Sequence, residues 1–425
     1  MTILIKGARL VDPSQGLDET GDLLLKEGKI AALGGDLGTE AEEILDGRGL
    51  VAAPGLVDMH VHLRDPGLTY KEDVFTGCRA AAAGGVTSLL AMPNTKPPMD
   101  SPEGVQALLE KAASADAAVY TAACVTKGMK GEELTDLEAL KAAGAIAISD
   151  DGVPVGSSRC LLEALGKAQK LGLTLTAHCE DMDLARGGKM NEGPVAEELG
   201  LPGIPAAAED CGTAREIAAA ASIDAAVHIC HVSTKGSVAL IRDAKARGVK
   251  VTAETCPHYL LLTEEALRSR DADYRMNPPL RTEADRLALL QGLQDGTIDA
   301  ISTDHAPHSP EEKADFAGAP NGSIGMETSL AATLTALEGK LGLSQIIEKM
   351  SWTPARILGI PAGTLQVGQN ADVVLFDPER KWVVDPEKLH GKSKNTPFKG
   401  MTLKGKVLVT IFRGRKVYDG REEIK

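Results

Sequence analysis

The sequence predicts an α/β protein in which a (β/α)8 barrel of the TIM type carries a small composite β-domain. The first observation is an alternation of strand-like apolar runs with helix-like stretches, giving eight strands over about 310 residues. The second is that both chain ends consist instead of short alternating segments separated by glycine-rich turns. We therefore predict a barrel over residues 53–362 and one β-domain made from residues 1–52 and 363–425.

The predicted barrel strands are short apolar runs. They are residues 55–61, 86–92, 118–125, 145–149, 172–178, 225–231, 249–255 and 298–303. Stretches rich in Ala, Leu, Glu and Lys predict helices between most of them, at residues 102–114, 136–143, 158–171, 208–222, 235–247 and 282–294. A doubly wound open sheet is the alternative fold, but it would not need eight strands, and the chain lacks its Gly-X-Gly-X-X-Gly turn.

The two chain ends share one sequence pattern. Residues 2–5 and 22–25 are short apolar segments near the N-terminus, and residues 371–376 and 407–412 resemble them near the C-terminus. Two β-rich ends that flank a barrel are most simply explained if they pair into one sheet.

Composition and charge argue against several classes of binding partner and location. A net charge of −14 without a basic stripe makes nucleic acid and anionic membranes poor partners. The seven cysteines are odd in number and show no close-spaced metal pattern. No secretion signal is found at the N-terminus, and no stretch approaches the roughly 20 apolar residues that span a bilayer. We therefore expect a soluble cytoplasmic protein.

Polar residues gather where the predicted strands end. His60 and His62 end the first strand, and side chains two residues apart in a strand point to the same side. Eight of the nine histidines lie in such segments, and only His390 does not. The carboxyl ends of barrel strands form one face, which is where such enzymes place their chemistry. Four imidazoles and two carboxylates there would suit Zn²⁺.

Each of these residues also has a structural alternative. A buried strand histidine is more often a hydrogen-bonded core residue than a ligand, and this interpretation is kept for His228, His258 and His305. Asp304 could instead cap a helix or form a buried salt bridge.

Two segments resemble the signatures of a known enzyme family. Residues 58–67 read Asp-Met-His-Val-His-Leu-Arg-Asp-Pro-Gly, and residues 302–308 read Ser-Thr-Asp-His-Ala-Pro-His, followed by Lys313. Both patterns are similar to the dihydroorotases, within the amidohydrolase superfamily. Residues 92–95, 228–233 and 276–281 also look like segments of that family.

The resemblance implies a metal centre with one or two Zn²⁺ ions per subunit, two being expected. It places His60, His62 and Asp304 on one ion, and His178 and His231 on the second. Many members bridge the ions with a carboxylated lysine, but residues 145–152 hold no lysine, and Asp151 is the matching position of the aspartate-bridged bacterial enzymes. Its neighbour Asp150 remains an alternative. The missing lysine argues against dihydropyrimidinase, hydantoinase and allantoinase.

The activity that the resemblance implies is the reversible cyclisation of N-carbamoyl-L-aspartate to L-dihydroorotate in pyrimidine synthesis. Asp304 would be the catalytic base and then acid. The implied substrate contacts are His62, Arg64, Asn94, Asn277, His308, Asn321 and Gly322. Another cyclic amidase of the superfamily, or a non-catalytic homologue acting as a scaffold for aspartate transcarbamoylase, are the alternatives. The family also implies a homodimer.

Overall fold

The protein is described by a computed structural model over residues 1–421. Its strands are β1 Thr2–Asp12, β2 Leu17–Lys26, β3 Lys29–Gly34, β4 Glu43–Asp46, β5 Val51–Pro54, β6 Leu56–Val61, β7 Val86–Ala91, β8 Ala118–Cys124, β9 Ala147–Ser149, β10 Thr174–Ala177, β11 Met190–Asn191, β12 Gly203–Ile204, β13 Val227–Ile229, β14 Val251–Thr255, β15 Ala300–Ile301, β16 Val373–Val383, β17 Thr402–Phe412 and β18 Arg415–Asp419. Its helices are α1 Val74–Ala83, α2 Pro102–Ala112, α3 Leu137–Ala142, α4 Ser158–Leu171, α5 Met182–Ala185, α6 Pro194–Leu199, α7 Ala206–Ser222, α8 Lys235–Ala246, α9 Pro257–Leu261, α10 Glu283–Gln294, α11 Ser329–Ala336, α12 Leu343–Ile347 and α13 Thr353–Leu358.

Eight parallel strands form the barrel. Their order is β6-β7-β8-β9-β10-β13-β14-β15, so each strand pairs with the one that precedes it in the barrel. A parallel bridge between Val61 and His305 brings the last strand back to the first, and the amide of His62 donates to the carbonyl of His305 at 2.8 Å. The predicted barrel is confirmed.

The second sheet joins the two ends of the chain. Its order is β3-β2-β1-β5-β16-β17-β18, with β4 paired to β1. The junction is the antiparallel pair of β5 and β16, in which Val51 faces Phe376 and Pro54 faces Val373. Buried aliphatic side chains from both ends, such as Ile5, Leu10 and Val409, form its core. The composite β-domain is confirmed as part of the fold class, while its boundaries remain a prediction.

One C-terminal segment leaves this sheet. Between β16 and β17 the chain runs along the barrel, where the amide of Ile324 donates to the carbonyl of Asn395 at 3.1 Å. The hydroxyl of Ser393 donates to the carbonyl of Lys71 at 2.7 Å. Residues 389–399, which we call the C-terminal strap, therefore touch loops at the carboxyl ends of the barrel strands.

Local sequence explains the entry into α1, which the apolar periodicity did not reveal. The carboxylate of Asp73 accepts from the amides of Phe75 and Thr76, and the Thr76 hydroxyl accepts from the amide of Asp73. Such a cap stabilises a helix by about 1 kcal/mol. The helix buries an alanine-rich face against the barrel, which a search for large apolar residues overlooks.

The observed barrel strands are shorter than predicted. The eighth strand, for example, contains only Ala300–Ile301, whereas residues 298–303 were expected. Predicted strand ends such as His178 and His231 lie beyond the ladder and line a cavity at the mouth of the barrel. Within residues 1–421, no helix is both long and apolar enough to cross a membrane.

Candidate metal centre

Six buried imidazoles and carboxylates meet at the carboxyl ends of the barrel strands. They are His60 at the end of β6, His62 just beyond it, Asp151 after β9, His178 after β10, His231 after β13 and Asp304 after β15. Parallel strands that close into a barrel bring these ends to one face, so residues from five strands converge there.

Asp151 lies at the middle of the cluster. Its Oδ1 atom is 3.2 Å from Nε2 of His60 and 3.4 Å from Nε2 of His231. The same oxygen is 3.7 Å from Nδ1 of His178, whereas Oδ2 is 3.4 Å from Nε2 of His62. Asp151 is thus shared by two pairs of histidines, His60 with His62 and His178 with His231, which is the arrangement needed to bridge two cations.

Asp304 completes one side of the cluster. Its Oδ1 atom lies 3.1 Å from Nε2 of His62 and 3.6 Å from Nε2 of His60. The opposite side is formed by His178 and His231, whose Nδ1 and Nε2 atoms are 3.0 Å apart. The cluster thus divides into two groups of nitrogen and oxygen donors that share Asp151.

Asp150, the alternative, points elsewhere. Its Oδ1 atom accepts from the amides of Val125 and Thr126 at 2.8 and 3.1 Å, and its Oδ2 atom accepts from the Thr126 hydroxyl. Asp150 therefore anchors the loop after β8, while the adjacent residue faces the histidines. Successive side chains diverge at a strand end, which separates the two roles.

Three residues at this site have a left-handed backbone. The φ angles are +35° at His231, +48° at Asp304 and +60° at Arg64. Side chains other than glycine pay about 1–3 kcal/mol for such a conformation, which persists only where surrounding structure enforces it. The strain falls on residues that turn their side chains into the barrel mouth.

Each of three imidazoles has one nitrogen on the cluster and the other on an oxygen outside it. Nδ1 of His60 is 3.1 Å from Oε1 of Glu254. Nδ1 of His62 is 2.8 Å from Oδ1 of Asn94, and Nε2 of His178 is 3.3 Å from Oε2 of Glu180. When a cation displaces the proton on the inward nitrogen, the outward N–H can stay in place, and the inward nitrogen then offers the lone pair that binds metal ions.

The electrostatics favour ionised carboxylates. Burial opposes the charge of Asp151, but the His60 imidazole and a hydrogen bond from His231 outweigh it and hold the pKa well below its ordinary value. Burial likewise opposes the charge of Asp304, and a hydrogen bond from His62 together with the charge of His60 lowers its pKa. Two buried anions beside four imidazoles form a strong binding site for cations.

The donor set fits a divalent metal. Nε2 of His60 is buried and has no hydrogen-bond partner, although it lies between Asp151 and Asp304. Imidazole nitrogens with carboxylate oxygens are ligands that Zn²⁺ accepts. A buried polar atom aimed into such a cluster is what an ion would satisfy.

A competing group is formed by His60, Cys230 and Glu254. Burial raises the pKa of the Cys230 thiol to about 12, and a neutral thiol is a poor metal ligand. Glu254 is already engaged by the hydroxyl of Ser302 and the imidazole of His228. This group therefore fits a support for His60 better than a metal site.

A cavity of about 250 Å³ opens above the cluster. All seven residues predicted to contact substrate line it: His62, Arg64, Asn94, Asn277, His308, Asn321 and Gly322. The Arg64 guanidinium is buried, and its Nε atom donates to the carbonyl of Pro307 at 3.2 Å. Burial lowers the pKa of Arg64, so an anion in the cavity would gain a desolvated cationic partner. A larger cavity of about 350 Å³ also borders His308, but none of the six clustered imidazoles and carboxylates lines it.

Several residues of the site were not predicted. Glu180 accepts from Nδ2 of Asn277 at 3.2 Å as well as contacting His178, and the only signal was its place two residues after a strand-end histidine. Glu254 lies within the seventh predicted strand, residues 249–255, a position that by itself indicates no role. Asn395 in the C-terminal strap could not have been found, since its amide bonds to the carbonyl of Gly322 only through the tertiary fold.

Comparison with known proteins places this chain in a family. Residues 49–237 match the family model described as dihydro-orotase-like. The chain is 51% identical to a dihydroorotase of Citrifermentans bemidjiense, over 98% of this chain and 100% of that protein. It is 50% identical to a dihydroorotase of Geobacter metallireducens, with the same coverage.

Solved structures agree on the architecture. A dihydropyrimidinase from Brevibacillus agri superposes with a TM-score of 0.87 at 29% identity, covering 99% of this chain and 95% of that one. The L-hydantoinase of Arthrobacter aurescens gives 0.87 at 28% identity, covering 98% and 96%. The barrel, the attached sheet and the relatives together define a cyclic-amide hydrolase with an amidohydrolase-type fold. Within that class, the extended similarity to curated dihydroorotases shows that the chain belongs to the dihydroorotase family.

Proposed function

We propose that this centre catalyses the reversible cyclisation of N-carbamoyl-L-aspartate to L-dihydroorotate, a step of pyrimidine synthesis, with two Zn²⁺ ions. One observation carries the proposal: Asp151 lies within 3.7 Å of four imidazole nitrogens, beneath a cavity that also holds a buried arginine. Family membership supports the same reaction.

The proposed ligands follow the two halves of the cluster. His60, His62 and Asp304 would hold one ion, His178 and His231 the other, and Asp151 would bridge them. Zn²⁺ at such a centre polarises a carbonyl and makes water nucleophilic near neutral pH.

Asp304 is the proposed catalytic base and acid. Its carboxylate is buried, lines the cavity and is held in the ionised form, so it can accept a proton. In the hydrolytic direction it would take the proton lost by water as the oxygen bonds to the ring carbonyl carbon. It would then return that proton to the ring nitrogen as the carbon–nitrogen bond breaks.

Arg64 is the proposed partner of the substrate carboxylate. A protein with a net charge of −14 repels anions over most of its surface and needs a local cation to bind one. The planar guanidinium of Arg64 matches a carboxylate with two parallel hydrogen bonds. Asn94, Asn277 and His308 would hold the rest of the substrate, with Asn321 and Gly322 covering the ring.

A hydantoinase-like activity is the second candidate, because the solved structures above have those activities in their names. Two features of this chain favour dihydroorotate instead. The segment 147–152 presents Asp151 and contains no lysine, and Arg64 offers a cation that substrates without a carboxylate would leave unpaired.

The test is a substrate panel with metal removal. The purified protein should hydrolyse L-dihydroorotate, lose that activity on chelation and regain it with Zn²⁺ or Co²⁺. Hydantoin and dihydrouracil should be poor substrates under the same conditions. Full turnover without metal would refute the proposal, preference for hydantoin would support the second candidate, and a metal-loaded protein inert to all three would indicate a scaffold.

We also propose the cellular location of the protein and its partners. The seven cysteines form no disulfide and six are buried, as expected in a reducing compartment such as the cytoplasm. A homodimer and an association with aspartate transcarbamoylase stay predictions that size measurement and co-purification can check.

A further inference from the structure

His308 lies among cations at the edge of the substrate cavity. Burial, together with the charges of Arg64 and Lys71, lowers its pKa to about 3. The imidazole is therefore neutral near pH 7, so one ring nitrogen carries a proton and the other offers a lone pair. Which nitrogen carries the proton decides whether the ring donates to the cavity or accepts from it.

The cavity side of the ring is its Nε2 atom. It lies 2.9 Å from the carbonyl oxygen of Asn321, which can only accept, and 3.5 Å from Nη2 of Arg64, which can only donate. The shorter contact requires a proton on Nε2, because two lone pairs at 2.9 Å would repel.

The opposite side of the ring has one donor and one acceptor. Nδ1 lies 3.2 Å from Nζ of Lys71 and 3.2 Å from Oε2 of Glu312. An ammonium can only donate, so Lys71 requires a lone pair on Nδ1, whereas the carboxylate would favour a proton there. The two neighbours thus favour opposite tautomers of His308.

We propose that Lys71 is a positioning residue that selects the Nε2–H tautomer of His308, so that the ring presents a donor to the cavity. Lys71 is buried, and its Nζ atom also lies 2.8 Å from Oε1 of Glu312, which neutralises that carboxylate as a competitor. Its backbone carbonyl accepts from Ser393 of the C-terminal strap at 2.7 Å, which fixes the loop that carries it.

The tautomer matters to two contacts. The Nε2–H bond holds the carbonyl of Asn321 and hence the segment that covers the cavity. Gly322 packs directly on the ring, since a Cβ atom there would lie 2.9 Å from Nε2. The same side of the ring would face an anionic substrate, which a lone pair on Nε2 would repel. This last consequence rests on the proposed function, whereas the tautomer itself does not.

Without Lys71, Glu312 would be the only charged group on Nδ1. The proton would then move to Nδ1, and Nε2 would turn a lone pair towards Asn321 and the substrate. Substrate binding should weaken about tenfold or more, because the lone pair would repel the substrate carboxylate and release the Asn321 carbonyl.

The experiment is nuclear magnetic resonance of the metal-loaded enzyme labelled with ¹⁵N in histidine. His308→Gln identifies the ring signals, and the ¹⁵N shifts distinguish a protonated from a lone-pair nitrogen. Wild type and Lys71→Arg should show Nε2–H, and Lys71→Met should show Nδ1–H. Lys392→Met is the matched control, because Lys392 ties Thr69 and Asp73 of the same loop without reaching His308, and it should match wild type.

Steady-state kinetics of the Lys71 variants provide the second measurement. Lys71→Met should raise KM for L-dihydroorotate about tenfold with a smaller change in kcat, and Lys71→Arg should restore most of the affinity. Nδ1–H in wild type, or Nε2–H retained in Lys71→Met, would overturn the proposal. If Lys71→Met does not fold, Lys71→Leu replaces it in the same comparison, and Nε2–H retained in that variant would likewise overturn the proposal. If the wild type turns over no dihydroorotate, the proposed function fails, while the spectrum still tests the tautomer.

Discussion

The Nδ1 atom of His60 lies 3.1 Å from Oε1 of Glu254, while Nε2 of the same ring faces Asp151 at 3.2 Å. Burial opposes the charge of Glu254, but hydrogen bonds from His228 and His60 outweigh it and hold its pKa far below the ordinary range. Glu254 therefore fixes both the orientation of His60 and the nitrogen that remains for a cation.

Replacing Glu254 by glutamine should weaken metal binding. The amide keeps the shape but removes the charge that makes the imidazole a better ligand, and loss of such a partner costs about 10–100-fold in metal affinity or activity. Competition with a chromophoric chelator measures the affinity. Glu216→Gln is the control, a buried glutamate paired with Arg215, and it should bind Zn²⁺ as wild type does. Unchanged affinity in Glu254→Gln would show that His60 needs no such support.

Replacing Asp151 by asparagine should impair metal binding and catalysis, whereas replacing Asp150 by asparagine should lower stability. Asp151→Asn removes the charge shared by the two halves of the cluster, so we expect loss of one ion and a large fall in kcat. Asp150→Asn should retain metal but lose about 1–3 kcal/mol of stability, because Asp150 accepts from Val125 and Thr126. Metal analysis and denaturant unfolding separate the two outcomes.

An aspartate bridge also predicts that the activity of the enzyme does not depend on bicarbonate. A carboxylated lysine forms from CO2, whereas an aspartate is ionised without it, its reference pKa being about 3.9. Activity that rises with bicarbonate, or an Asp151→Asn enzyme with full activity, would contradict the assignment.

Arg64 should discriminate by substrate charge. Its removal leaves the substrate carboxylate without a desolvated partner. The transition-state stabilisation calculated from kcat/KM should therefore fall by about 2–5 kcal/mol. Arg64→Lys should recover only part, since an ammonium cannot make two parallel contacts. The comparison substrate is dihydrouracil, which lacks the carboxylate. Its kcat/KM should change little in the same variants. Equal kcat/KM for dihydroorotate in wild type and Arg64→Ala would exclude this role.

His308 should contribute to acid sensitivity. Folding lowers its pKa from 6.5 to about 3, so between these values the unfolded chain binds a proton that the folded protein refuses. Stability is therefore lost as the pH falls from 6.5 towards 3. Between pH 7 and pH 5, wild type should lose about 2 kcal/mol more than His308→Gln. Denaturant unfolding at matched metal content measures this difference, and parallel losses in both proteins would refute it.

Periodicity and strand count were sufficient to predict the fold, because the barrel strands are runs of mostly buried residues. The same reasoning predicted that the candidate metal ligands lie on one face of the barrel, since its parallel strands end together there. It missed α1, whose buried face consists mainly of alanines.

The supporting residues of the site lay beyond sequence reasoning. Lys71 meets His308 and Glu312 across more than 230 residues of chain, a contact created by the loops rather than by any periodic pattern. Asn395 accepts from the amide of His308 at 3.2 Å although it belongs to a C-terminal segment that was expected to lie in the β-domain. Such contacts depend on the path of loops, which hydrophobic patterns do not specify.

The most direct test of the proposed two-metal centre is anomalous diffraction at the zinc edge from crystals of the metal-loaded protein. We predict two peaks on either side of Asp151, one within ligand distance of His60, His62 and Asp304 and the other within ligand distance of His178 and His231. A single peak, a peak among His60, Cys230 and Glu254, or density for a modified lysine between the ions would contradict the account.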